Sequence, residues 1–151
     1  MSRHNIKSES SWSVHWLSDL EIPLANKFYR SHGFRGKARR NEDCAVVRDA
    51  NQSVIACGCL RNHGSFRLLA GVAVAETNQR QGVARLLVRR MSERFDSQTY
   101  TFPYDHLMAF YQSLGFAVVH PEGQITPLTD LYQSYRKQGR SILMMQYLPD
   151  S

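Results

Sequence analysis

LLAGVAVAETNQRQGVARLLVRRM, residues 68–91, begins as a near-continuous apolar run, breaks into polar residues around one glycine, and resumes with helical spacing. The first part reads as a buried strand. From residue 83 onward Val83, Leu86, Leu87, Met91 and Phe95 share one helical face, and Arg85, Arg89 and Arg94 lie mostly on the other. A helix starting just after Gly82 exposes backbone N–H groups that lack intrahelical acceptors. With the helix dipole they form an anion site suited to phosphate. Glycine allows close backbone approach, small Ala84 keeps the first turn uncrowded, and Arg80 and Arg85 flank it. The same residues also fit an ordinary strand-to-helix connection. They match neither G-x-G-x-x-G nor G-x-x-x-x-G-K-[ST], so dinucleotide-dependent redox chemistry and nucleotide hydrolysis lose support.

Working outward, Trp12 to Leu17 alternates as a first strand, with Trp12, Val14 and Trp16 on one side. Ser18 and Glu21 have capping-box spacing while Pro23 prefers a first turn, so two helix starts stay open before Leu24 and Phe28; Gly33 closes that helix. The basic loop FRGKARRN (34–41) follows. Residues 44–48 and 53–61 read as strands joined by DANQ, and RNHG (61–64) turns into the strand 66–74. TYTF (99–102) is a short strand ended by Pro103, residues 106–114 a short helix closed by Gly115, and FAVV (116–119) a further strand. Thr126 and Pro127 form an N-cap and first-turn pair; Leu128, Leu131, Tyr132 and Tyr135 repeat at 0, 3, 4 and 7 up to Gly139, and residues 142–148 form the last strand. No repeat or interdomain linker is visible, so residues 1–151 read as one α/β domain.

At 151 residues the chain is long enough to bury a core, and 42% hydrophobic against 21% charged residues argues against wholesale disorder. A net charge of +6 favours anionic partners, which fits nucleic acid and a phosphate-bearing small molecule equally. Cys57 and Cys59 share one strand face, a poor disulfide geometry, and no second cysteine pair or nearby histidine completes a zinc site. The three cysteines, Cys44 included, therefore read as buried or idle thiols in a reducing compartment. The six histidines are scattered, and no metal is expected. MSRHNIKSESSW has no apolar signal core, and no apolar run approaches the roughly 18–20 residues that span a bilayer, so a cytoplasmic protein without membrane attachment is expected.

A second stretch, AFYQSLGF (109–116), changes the weight of the glycine turn. Together the two resemble the GCN5-related N-acetyltransferase (GNAT) superfamily. Gln79-Arg80-Gln81-Gly82-Val83-Ala84 matches its acyl-CoA signature Q/R-x-x-G-x-G/A, and FYQSLGF matches the later A-x-x-FY-x-x-LGF signature, about 27 residues downstream. The likeness covers roughly residues 66–119. It implies a single-domain α/β GNAT fold, with a mixed central β-sheet flanked by helices, and an acyl-CoA co-substrate, acetyl-CoA by default.

The resemblance also implies roles. The apolar strand pairs its backbone with the pantetheine arm, Ala73 and Val74 contacting it, while Gln79, Arg80, Gln81, Gly82, Val83, Ala84 and Arg85 wrap the pyrophosphate. TYTF splays from the preceding strand to leave a cleft. Tyr111 matches the family tyrosine near the CoA sulfur and is expected to act as general acid on the departing thiolate; a packing aromatic is the alternative. Backbone N–H groups near Val74 are expected to face the oxyanion.

The base stays unassigned: FRLLAGVAV has no acidic residue, and Glu76 is the nearest carboxylate. Asp105 and His106 stand where the family often has an asparagine, with helix capping by Asp105 the favoured role. Tyr29, His32, Phe34 and Arg35 are weak acceptor-side candidates, along with Glu76 and His106.

The expected reaction is acyl transfer to a primary amine of a small molecule, peptide or protein. Two rivals stand beside it. One is a non-catalytic acyl-CoA-binding regulator of a partner protein. The other is an acetyltransferase acting on aminoacyl-tRNA, anchored by Arg35, Lys37, Arg39 and Arg40, although nucleic acid is not favoured without interleaved aromatics. The resemblance allows a homodimer.

Overall fold

Among the described residues seven strands hydrogen-bond in the order β1-β2-β3-β4-β5-β7-β6. The structure is a computed structural model that describes residues 11–149; the reading of residues 1–10 as lacking a signal core lies outside them. The strands are β1 (Ser13–Trp16), β2 (Asp43–Arg48), β3 (Val54–Asn62), β4 (Arg67–Val74), β5 (Thr99–Thr101), β6 (Phe116–Val118) and β7 (Met145–Tyr147). The helices are α1 (Ile22–Ser31), α2 (Val83–Met91), α3 (Met108–Gln112) and α4 (Thr126–Arg136). The chain divides into two compact units, residues 11–60 with 71–93, and 61–70 with 94–149, so β4 contributes to both.

In the first unit β1, β2 and β3 pair antiparallel. Alternation sorts their side chains: Cys44, Val46, Cys57 and Cys59 join Ile22, Ala25, Phe28 and Tyr29 of α1 in one core. Gly58 points to the opposite face, where an added Cβ would stand 3.1 Å from Met91 Sδ and 3.4 Å from Leu87. The missing side chain lets α2 pack close to the strand. Both starts left open for α1 are used in sequence. Ser18 N–H donates to Glu21 Oε1 at 2.9 Å around a 3₁₀ turn, Asp19–Glu21, and the α-helix begins at Ile22 with Pro23 in its first turn.

In the second unit β5 pairs parallel with β4 over Arg67↔Thr99, Leu68↔Tyr100 and Leu69↔Thr101, and antiparallel with β7, which also pairs with β6. Leu128 and Tyr132 of α4 pack with Phe66, Leu68, Tyr100, Ile142 and Met144, as the 0, 3, 4, 7 spacing requires. Several expected boundaries shift. Ile125, in extended conformation, precedes α4 and accepts N–H bonds from Leu128 and Thr129, so Thr126 is the first helical residue and not the cap. Trp12 lies just outside β1. The last strand is regular only from Met145, Ile142 making one isolated bridge to Tyr104. Among the described residues no helix is long and apolar enough to cross a membrane.

Candidate active site

β4 ends at Val74, and the chain reaches α2 through a 3₁₀ turn, Glu76–Asn78, and residues 79–82. Gly82 adopts φ +87, the left-handed region, and an added Cβ there would meet nothing within 4 Å. The glycine is demanded by backbone conformation, and the space beside it is open. Arg80 is also left-handed, φ +65, without glycine's freedom, which costs of order 1 kcal/mol or more.

Gly82 O accepts the helical bond from Leu86 N–H at 3.1 Å, and no side chain caps α2. The Val83 and Ala84 N–H groups thus begin the helix without an intrahelical acceptor. Two glutamines brace the turn from outside. Gln79 Nε2 donates to Val74 O at 3.1 Å, and Gln81 Nε2 to Thr77 O at 3.4 Å. Gln79, Arg80, Gln81 and Gly82 are exposed, Ala84, Arg85 and Val74 half-buried, and Val83 and Ala73 buried. Ala75 N–H, at the strand end expected to face an oxyanion, is already bonded to Ile55 O at 2.8 Å.

β4 is also held from the α1 side. Gly71 takes φ +66, and its carbonyl accepts the Tyr29 hydroxyl at 2.7 Å. Tyr29 is 1% exposed, so it is a core residue supporting β4, not a surface of an acceptor pocket. Of its expected companions, Phe34 is half-buried and stacks on Phe28, His32 is exposed against the same ring, Arg35 is exposed, and Glu76 is exposed at the start of its 3₁₀ turn.

Tyr111 and His106 belong to the second unit. Tyr111, 6% exposed, sits on α3 with its ring edge-on to Phe116 at 5.7 Å. Burial pushes its hydroxyl up to about 12, so it carries its proton throughout the neutral range. His106 is exposed, its ring parallel to Tyr104 at 6.0 Å. Asp105 does not cap the helix: Tyr104 precedes the 3₁₀ turn Asp105–Leu107, and the Asp105 carboxylate accepts from the Ser141 hydroxyl at 2.8 Å.

Sequence reasoning missed two features of the first unit. Gly71 looked like one small residue in an apolar run, and its bulge-like φ had no local signal. Cys44 and Cys59, 15 residues apart, are direct register partners with sulfurs 3.0 Å apart, and Glu42 brings a carboxylate oxygen within 4.8 Å of both.

The sequence model described as "Acetyltransferase (GNAT) domain" matches residues 40–118. The chain belongs to the GNAT family. No curated protein sequence matches this GNAT chain. Among solved structures it is similar to N-acetylglutamate synthase from Neisseria gonorrhoeae, complexed with coenzyme A and N-acetyl-glutamate. That pair has 14% identity and TM-score 0.65, covering 91% of this chain and 35% of the other. It thus spans about a third of that enzyme's chain. It is also similar to Rv2747 from Mycobacterium tuberculosis in complex with CoA, at 15% identity and TM-score 0.67, covering 91% and 99%. The ribosomal-protein-S18-alanine N-acetyltransferase from Escherichia coli matches at 17% identity and TM-score 0.60, covering 93% and 94%. At these identities the structural likeness establishes the fold.

Proposed function

We propose that this GNAT domain transfers an acyl group, acetyl by default, from acyl-CoA to a primary amine. The observation that carries the reading is the Gly82 turn: a left-handed glycine with open space at its Cβ position, uncapped N–H groups behind it, and arginines on both sides. Such a turn offers fixed donors to a pyrophosphate. Arg80 and Arg85 add charge-assisted contacts. The glutamines hold the turn through their side chains, which leaves the backbone donors for the ligand.

Ala73 and Val74 continue this surface toward the pantetheine arm, whose amides suit a strand backbone. Holding donor and amine together supplies much of the acceleration. The amine nitrogen attacks the thioester carbonyl, the C–N bond forms and the C–S bond breaks. The neutral Tyr111 hydroxyl donates toward the leaving sulfur. Since β4 has no acidic residue, the amine binds neutral or yields its proton to water.

Isothermal titration with acetyl-CoA, beside Gly82→Glu, tests the reading. Glutamate fills the open position and repels phosphate, so wild-type binding should disappear in the variant. Failure of the wild type to bind acetyl-CoA and longer acyl-CoAs overturns it.

A further inference from the structure

We propose that Cys44 and Cys59 form a reversible thiol–disulfide site within the first unit, reached when the loop of residues 34–42 unlatches from α1. The two residues face each other directly across β2 and β3. Directly opposed antiparallel residues have Cα atoms about 4.5–5.5 Å apart, inside the span a disulfide bridges. Their sulfurs are 3.0 Å apart, inside the roughly 3.5–4.0 Å of ordinary non-bonded contact.

Cys57 is less well placed. Its register partner is Val46, and successive same-face residues of a strand, such as Cys57 and Cys59, stand about 6.5–7 Å apart at Cα. A thiophilic metal fits less well too. Two thiolates on tetrahedral zinc stand about 3.8 Å apart, given zinc–sulfur bonds of about 2.3 Å. The third donor, Glu42, already accepts the Arg39 N–H at 2.9 Å.

Access is the second half of the inference. Cys44, Cys57 and Cys59 are fully buried. Ala38, in the basic loop, packs into the same core and is clasped by one side chain. Its N–H donates to Asn26 Oδ1 at 2.8 Å and its carbonyl accepts Asn26 Nδ2 at 3.0 Å. Gly36 lies so close to the Tyr29 ring that a Cβ would stand 2.7 Å from it. The Tyr29 hydroxyl in turn lies 3.5 Å from Cys59 Sγ, so the loop, fastened at Ala38, packs over the core that holds the thiol pair, and releasing Asn26 frees it.

The chemistry balances with a small-molecule disulfide as oxidant. One thiol, as thiolate, attacks glutathione disulfide and releases one glutathione; the second displaces the other from the mixed disulfide. Two thiols lose two protons and two electrons, and the oxidant becomes two glutathione molecules.

The test is incubation of the folded protein with glutathione disulfide, followed by intact mass and a tryptic map. Trypsin separates residues 41–48, carrying Cys44, from residues 49–61, carrying both Cys57 and Cys59. The expected result is a mass loss of about 2 Da, a link between those peptides, and the same link in Cys57→Ser. Cys59→Ser should give no link. Asn26→Ala should oxidise several-fold faster to the same product, and Asn26→Asp, which keeps the acceptor for Ala38 N–H, at an intermediate rate. Retention of all three thiols, a link that survives in Cys59→Ser, or stoichiometric zinc on the purified protein overturns the disulfide site. Equal rates in the Asn26 variants and wild type overturn the latch. Fragmentation of the linked wild-type peptides between Cys57 and Cys59 assigns the pairing even where a cysteine variant folds poorly, and a link on Cys57 overturns the site.

Discussion

The Tyr29 hydroxyl donates a 2.7 Å hydrogen bond to the Gly71 carbonyl, 42 residues along the chain. The bond ties α1 to β4 where the strand backbone turns left-handed, two residues before the stretch proposed to meet pantetheine. Tyr29→Phe should cost about 1 kcal/mol, because the half-buried Gly71 carbonyl loses its donor. Gly71→Ala should cost more, since its Cβ would stand 2.7 Å from the Tyr29 oxygen at a φ of +66. Removing that oxygen makes room for the methyl, so the double variant should be less destabilised than the sum of the singles. Chemical denaturation of the four proteins checks this, and strict additivity would count against it.

Arg80 holds a left-handed φ of +65 that glycine adopts freely. Arg80→Gly should therefore release strain of about 1–3 kcal/mol, offset in part by the roughly 0.4–1 kcal/mol of unfolded-state freedom that glycine adds, for a net gain in stability. It should also weaken acetyl-CoA binding and flatten its dependence on salt. Melting curves and titrations at two ionic strengths separate strain from charge.

Tyr111→Phe keeps the edge-on ring contact with Phe116 and removes the hydroxyl. Turnover should fall by about 10²–10⁴ with acetyl-CoA affinity nearly unchanged. Because burial holds this hydroxyl up to about 12, the wild-type rate should show no fall from Tyr111 ionisation at neutral or mildly alkaline pH. A variant as active as wild type would make Tyr111 a packing residue.

Alkali should unfold the protein earlier than its fold alone suggests. The hydrogen bond to Cys59, then burial, pushes the Cys44 and Cys57 thiols up from 9.0, and burial pushes Tyr29 and Tyr111 up from 10.0. Each raised group stays protonated in the folded chain at a pH where the unfolded chain has lost the proton. The stability they contribute is thus intact below about pH 9 and lost as pH rises through the folded values. Melting temperature measured upward from neutral pH should hold and then drop steeply; a flat curve to about pH 11 would contradict the linkage.

The fold was legible where chemistry is local. The apolar run into Gly82 and the arginine-backed helix after it marked β4, its turn and α2, and the spacing of Leu128 and Tyr132 marked the buried face of α4. What escaped depends on register and tertiary partners. Cys44 and Cys59 become neighbours only once the β2–β3 pairing is known, and Tyr29 looked like a pocket aromatic until its hydroxyl met Gly71. Asp105 had the residue type of a cap, but Ser141, 36 residues away, takes its carboxylate. In the basic loop the sequence displays the cations, which the structure leaves exposed, while the small residues between them, Gly36 and Ala38, do the packing.

That loop alternates outward and inward without being a strand: Arg35, Lys37 and Arg39 are exposed, Gly36 is half-buried and Ala38 buried. Gly36 must meet the Tyr29 ring and Ala38 must meet Asn26, with one residue between them. Its length is therefore fixed as tightly as that of a hairpin. A residue added between 36 and 38 would break one anchor to keep the other. Tags, insertions and new chain ends belong instead at Gly64 or Gly123, where nothing lies within 4 Å of an added Cβ.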